Sequence, residues 1–231
     1  MSDSDPSPSP AAPSPPIWRD VLAISVAVGV FGIAFGVFAV ATGLSAPQAQ
    51  AMSLLVFTGA SQFAAVGVID AGGTAAAAVG SAAMLAARNG LYGLALNRTV
   101  RGGWLRRLLA AQIVIDESTA MATAQTEPDA AEKAFYLAGV GVFVFWNLGT
   151  LLGAVGGNAV GDPETFGLDA AFPAGFLALL AHHLRRRPGQ VAALSGAAIA
   201  VVTIPLTPAG APILLAALGV VPAYVVWRRT S

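Results

Sequence analysis

Cysteine is absent from the 231 residues, which excludes disulfides, thiolate-bound metal and a cysteine nucleophile, and leaves the redox compartment open. Charge is nearly absent too: only 10% of the residues are charged, against roughly 25% in an ordinary globular domain. Lysine occurs once, at Lys133, and with 12 basic and 12 acidic side chains the net charge is zero. No surplus of positive charge is therefore available to attract nucleic acid. The phosphate-cradling pattern G-x-x-x-x-G-K-[ST] is missing, as are G-x-S-x-G and H-E-x-x-H. His182 and His183 stand beside Arg185, Arg186 and Arg187 with no acidic cluster, which suits an interface better than a metal site. No metal and no cofactor is expected. Nor is an enzyme, because no nucleophile, base and orienting group can be named together.

What the chain has in abundance is apolar residues, 56% of the total. So few charges cannot cover a water-soluble surface, and the composition predicts an all-α, polytopic integral membrane protein. Residues 1–17 are expected to form a disordered Ser/Pro-rich tail, since MSDSDPSPSPAAPSPP cannot bury enough surface to offset the entropy of ordering. Residues 18–231 form the single membrane domain. A hydrocarbon core of about 30 Å takes roughly 20 apolar residues in helix. Stretches that approach this are 21–42, 49–69, 74–96, 108–124, 134–156, 168–184, 191–206 and 212–227. Two are marginal: 108–124 carries Asp116 and Glu117, and 168–184 is short and holds Pro173. The expectation is seven or eight transmembrane or re-entrant helices.

Sidedness follows from arginine. Arg98, Arg101, Arg106 and Arg107 crowd one loop, Arg185, Arg186 and Arg187 another, and Arg228 and Arg229 end the chain, whereas the loop 157–167 has Asp162 and Glu164 and no basic residue. The positive-inside rule places the arginines and the C-terminus in the cytoplasm. That assignment also puts 127–133 inside, so 108–124 cannot cross: either it is re-entrant, or the four-arginine loop lies outside against the rule. Re-entrant backbone survives at membrane depth only where protein or a watery cavity covers it, and the balance favours that reading. The side of the N-terminus stays open.

Polar groups inside the apolar runs are the candidates for function. Asp116 lies about 13 Å along a helix from Arg107, at 1.5 Å per residue. A carboxylate at mid-span costs about 2.5–3.5 kcal/mol on insertion scales, so it implies a partner, a cavity or a proton. On one continuous helix Gln112, Asp116, Thr119 and Thr123 would form a single polar stripe. Asp116 and Glu117 are either pathway-facing carboxyls that exchange a proton, a static pair with Arg88, or solvated groups on a cytoplasmic helix. Arg88 either snorkels to the interface, balances these acids or meets a substrate carboxylate. Thr58, Gly59, Ser61 and Gln62 sit in mid-span, where polar side chains and glycine favour a broken helix whose N–H ends face an anionic ligand group. The alternative is close packing, with Ser61 bonded back to its own helix. Asn147 either binds cargo or joins helices. Gly32 and Gly36, with Gly149, Gly153 and Gly157, fit small-residue helix packing.

The run Met52-Ser-Leu-Leu-Val-Phe-Thr-Gly-Ala-Ser-Gln-Phe-Ala-Ala65 resembles the AzlC family, the large subunits of bacterial branched-chain amino acid exporters. So do Leu91-Tyr-Gly-Leu94, Asp116-Glu-Ser-Thr-Ala120, Phe145-Trp-Asn-Leu-Gly-Thr-Leu-Leu-Gly153, the run 168–180 and Ile213-Leu-Leu-Ala-Ala217, in the family's order. The chain departs from that pattern at Arg88-Asn89-Gly90, where Arg-His is usual, and at Asn147, where Gln is usual. The resemblance implies an inner-membrane secondary transporter exporting valine, isoleucine, leucine or a similar neutral amino acid such as methionine. It also implies proton coupling and a small hydrophobic membrane subunit of the AzlD type. The substrate-binding set expected is Thr58, Gly59, Ser61, Gln62 and Asn147; Asp116, Glu117 and Arg88 are expected to couple protons or form an ion pair. The alternatives are a carrier for another small solute and a membrane subunit with no pathway of its own.

Overall fold

The computed structural model describes residues 17–160, 177, 180, 181 and 184–230. The tail expected at 1–17 and the short span expected at 168–184 lie almost wholly outside the described residues, as do His182 and His183. All regular structure among the described residues is helical: α1 (Ile17–Ala41), α2 (Ala46–Leu55), α3 (Gly59–Asp70), α4 (Ala75–Ala95), α5 (Trp104–Ala111), α6 (Asp116–Thr123), α7 (Pro128–Val160), α8 (Arg187–Thr203), α9 (Ala211–Ala216) and α10 (Val220–Thr230), with short 3-10 turns after α4 and α9. Three stretches among them are long and apolar enough to cross a membrane, Ile17–Ala41, Pro128–Gly157 and Ala211–Arg229.

Glycine decides how α1 and α7 meet. A Cβ on Gly36 would lie 2.2 Å from the Thr150 carbonyl oxygen, one on Gly149 2.2 Å from that of Gly29, and one on Gly153 2.1 Å from that of Ile33. The two backbones therefore touch, as small-residue seams allow in lipid, where no hydrophobic effect draws helices together. Away from this seam, α7 packs on the broken elements: Gly139 lies against Ile113, Phe143 packs its ring edge-on at 4.9 Å from Phe57, and Trp146 lies against Gly59. Phe35, Phe63 and Trp146 close the centre of the core.

The second span is broken. Ser45 and Gln48 cap the start of α2 reciprocally, the hydroxyl accepting from the Gln48 amide and the Gln48 Oε1 accepting from the Ser45 amide at 2.8 Å. The helix stops after Leu55, and Val56, Phe57 and Thr58 turn out of helical geometry before α3 starts at Gly59. The break thus precedes the polar run rather than dividing it.

Residues 108–124 are also interrupted. α5 and α6 are eight residues each, separated by Gln112 to Ile115. The single stripe expected of Gln112, Asp116, Thr119 and Thr123 does not exist, because the chain changes direction between the first and second of these. Ser118 stabilises the turn, accepting from the Ile115 amide at 3.1 Å and donating to the Ile113 carbonyl at 2.7 Å. Arg101, just before α5, pairs with Asp129 and Glu132 at the start of α7, and Arg106 pairs with the same Glu132 at 3.1 Å. The segment therefore leaves and returns at one end of the bundle. With α5 only about 12 Å long at 1.5 Å per residue, the segment has the form of a short re-entrant hairpin.

The seam between α1 and α7 is the place where added volume costs most. We expect Gly153→Val to lower stability by about 3 kcal/mol or more, as overpacking does, read as a lower Tm in detergent. Gly67→Ala, with open space around it, should be neutral or slightly stabilising in the same assay.

Candidate functional site

The polar residues expected from the sequence gather around the two helix interruptions, at 56–58 and 112–115. At the first, α3 begins with Thr58 as its N-cap, in extended geometry, with no capping bond from its hydroxyl. The amides of a helix's first turn have no intrahelical partner, so this end carries bare N–H groups and the positive pole of the helix. Ser61 and Gln62, in the first turn, are completely enclosed. The Ser61 hydroxyl has no hydrogen-bond partner among the described residues, and neither has Gln62 Oε1, although Gln62 Nε2 donates to the Met52 carbonyl at 3.1 Å. Ser61 is thus not bonded back to its own helix. Trp146 Nε1, also buried, is unpartnered as well. Its ring lies over Gly59 so closely that a Cβ there would come within 2.8 Å of Cη2.

Buried polar atoms without partners are uncommon in folded proteins. One acceptor, one donor and one hydroxyl left unpaired around a bare helix end have the chemistry of a site for a small zwitterion. Asn147 stands one residue beyond Trp146, but its side chain is engaged by protein: Oδ1 accepts from Gln50 Nε2 at 3.2 Å, and Nδ2 donates to the Phe143 carbonyl at 2.8 Å. Three residues further on, Thr150 accepts from Ser53 at 3.2 Å. Asn147 and Thr150 together tie α2 to α7.

At the second interruption, Asp116 opens α6 and accepts from Arg88 Nη1 of α4 at 2.9 Å. Arg88 is therefore the counter-charge to Asp116 rather than a snorkelling side chain. Both are about one-third exposed. Asp116 Oδ1, Arg88 Nε, Asn89 Oδ1 and Thr119 Oγ1 are buried atoms with no partner among the described residues. Tyr92, one turn beyond Arg88, lies beside Asp116. Glu117 follows in the same first turn and forms no ion pair among the described residues. Thr123, the far end of the expected stripe, is bonded back to the Thr119 and Ala120 carbonyls.

The two clusters are joined by a residue whose role sequence reasoning missed. Gln112, at the hairpin's turn, donates through Nε2 to the Leu54 carbonyl at 2.9 Å and to that of Leu55 at 3.5 Å. In an unbroken helix those two carbonyls would accept from the amides of residues 58 and 59. The break removes those partners and Gln112 replaces them. A glutamine in an apolar run was the only signal available, and nothing in the sequence says that it faces α2. The contribution of Trp146 was equally hidden, since an indole in a membrane helix reads first as packing.

Comparison with known proteins identifies the family. Residues 23–160, which contain both interruptions, match the family described as AzlC protein. The chain is also 26% identical over 210 residues to the branched-chain amino acid transport protein AzlC of Bacillus subtilis (strain 168), an alignment covering 89% of this chain and 80% of that one. No solved structure matches.

The Arg88–Asp116 pair yields a direct check. We expect Asp116→Asn and Arg88→Gln singly to destabilise the protein more than both together, because each single change strands a half-buried charge or acceptor. Thermal unfolding of the three variants in detergent measures the coupling, which for a pair this exposed should be about 1 kcal/mol.

Proposed function

Because the chain belongs to the AzlC protein family, we propose that it is a membrane transport protein for amino acids, exporting valine, isoleucine, leucine or a similar neutral amino acid such as methionine. The observation that carries this reading is the uncapped start of α3 surrounded by the unpartnered Ser61 hydroxyl, Gln62 Oε1 and Trp146 Nε1. A carboxylate suits the amides of Gly59, Ala60 and Ser61, with the Thr58 hydroxyl free to turn towards it. An ammonium suits Gln62 Oε1, which has no other donor to accept from among the described residues. The branched side chain suits the surrounding Phe57, Phe63 and Trp146, all buried. Asn147 supports the site from behind by holding Gln50.

Such a site selects neutral substrates by subtraction. Charged side chains are absent from the immediate surroundings of Ser61 and Gln62 in the sequence, so an acidic or basic cargo side chain would be buried without a counter-charge at a cost of several kcal/mol. Energy for export comes, in this reading, from the proton gradient. Asp116 is the coupling carboxyl: while ionised it holds Arg88, and taking up a proton weakens that pair and frees the hairpin end of α6. Glu117 is the second carboxyl available for the same proton. Loss of the pair on protonation is a discrete change of charge at a hinge between elements, which is what a coupled carrier needs. A small hydrophobic subunit of the AzlD type is the expected partner, and the inner membrane, with the C-terminus in the cytoplasm, the expected location.

Counterflow in proteoliposomes, with and without that subunit, tests the reading. Labelled valine, isoleucine, leucine and methionine should exchange, while aspartate and lysine should not. Ser61→Ala combined with Gln62→Leu should reduce exchange at least tenfold. Asp116→Asn with Glu117→Gln should leave exchange between equal proton concentrations but abolish accumulation driven by a pH gradient; gradient-driven accumulation that survives both changes removes the coupling role. Growth in a toxic valine analogue gives the corresponding measurement in cells.

A further inference from the structure

The first arm of the re-entrant hairpin is held by polar contacts at its two ends rather than by buried apolar packing. α5 buries only Ala110, and exposes Trp104, Leu105, Leu108 and Leu109. Its attachments at the near end are the Arg106 pair with Glu132, a cation-π contact and a 3.2 Å hydrogen bond from Arg106 to Tyr136, and hydrogen bonds from Arg107 Nη2 to the Asn97 carbonyl at 3.1 Å and to the Asn97 side chain. At the far end the polar attachment is the Gln112 amide on the Leu54 and Leu55 carbonyls. Immediately before α5 come Gly102 and Gly103, and Gly102 has φ +116°, a conformation that side chains other than glycine's rarely adopt. Two glycines, an eight-residue rigid rod and a single polar clasp at its tip make a lever.

What the clasp holds is the end of α2. The carbonyls of Leu54 and Leu55 have lost their helical partners to the break, and at membrane depth a carbonyl without a donor is costly. With Gln112 in place, α2 can stay separated from α3. With Gln112 withdrawn, the carbonyls regain donors most directly by taking back the amides of Gly59 and of Thr58, which gives up its present bond to the Val56 carbonyl; that closes the break and takes the Gly59 N–H out of the start of α3. The same hairpin carries Asp116 at its other arm, so one movement spans both clusters.

We propose that Gln112 is a positioning residue that keeps the α2–α3 interruption open, and that α5, pivoting at Gly102 and Gly103, withdraws and returns it during each transport cycle. This rests on the amino acid transport reading above and deepens it by naming what controls the site. Gln112 touches no cargo; it acts through the backbone of α2. The donor is what matters, so an acceptor-only isostere and a longer donor should behave oppositely.

Two measurements on the purified full chain in proteoliposomes, with its partner subunit if exchange requires one, test the proposal. Gln112→Glu keeps the size and loses the donors, and should reduce leucine exchange at least tenfold with little change in KM. Gln112→Lys restores donors and should recover exchange to within about threefold of the original. Equal exchange by Gln112→Glu and the original protein overturns the positioning role. The second measurement uses the absence of native cysteine. In the chain carrying Leu55→Cys and Ala111→Cys, a short bis-methanethiosulfonate, which forms a disulfide with each cysteine and expels methanesulfinate, should stop exchange, and reduction should restore it. Undiminished exchange by the cross-linked protein overturns the lever, because the clasp would then never open. If the original protein exchanges no amino acid at all, the transport reading itself fails, an outcome distinct from either result above.

Discussion

Where α2 stops and α3 starts, backbone carbonyls and amides lose their helical partners, and much of the architecture answers that constraint. A helix interrupted in hydrocarbon leaves carbonyls at one end and amides at the other, each costly unless paired. On the carbonyl side, the Gln112 side chain reaches across from a separate hairpin to Leu54 and Leu55. On the amide side the hydroxyl of Thr58 does not cap, and polar side chains with unfilled hydrogen-bonding capacity cluster nearby. The asymmetry between a satisfied carbonyl end and a bare amide end is what gives the site its polarity, suited to an anion where the amides are.

Holding such an interruption apart requires a stiff support, and the α1–α7 seam provides it. Because Gly29, Gly32 and Gly36 meet Gly149 and Gly153 with the backbones in contact, the opposite side of α7 is set at a fixed distance from both breaks. Gly139, Phe143, Trp146, Asn147 and Thr150 all use that position, each against a different part of the broken elements. Glycine serves two purposes here. On α1 and α7 it allows close approach, and at Gly59 it makes room for the Trp146 ring.

Charge follows the same economy of placement. Arg101 and Arg106 meet Asp129 and Glu132 at the end of the bundle, and the only ion pair among the described residues outside that cluster is Arg88 with Asp116. The first group ties the entry and exit of the re-entrant hairpin together. The second crosses from α4 to the hairpin's returning arm. That carboxylate is paired with a counter-charge yet remains about one-third exposed, at the start of a short helix.

Composition and periodicity determined that the chain is helical and membrane-embedded and which polar residues stand in apolar surroundings, and they favoured a break in the second span close to Gly59. Those properties are local: they depend on how many apolar residues run together and which of them interrupt the run. The small-residue seams on 32–36 and 149–157 were legible for the same reason, since spacing alone puts them on one face of a helix. Direction was not. Whether 108–124 continues as one helix or turns back at Gln112, whether Arg88 reaches the interface or Asp116, and which protein groups Asn147 bonds depend on contacts between residues far apart in the chain. A side chain with several acceptable partners takes the one that packing brings within about 3 Å, and only the folded arrangement of α2, the hairpin and α7 decides which that is.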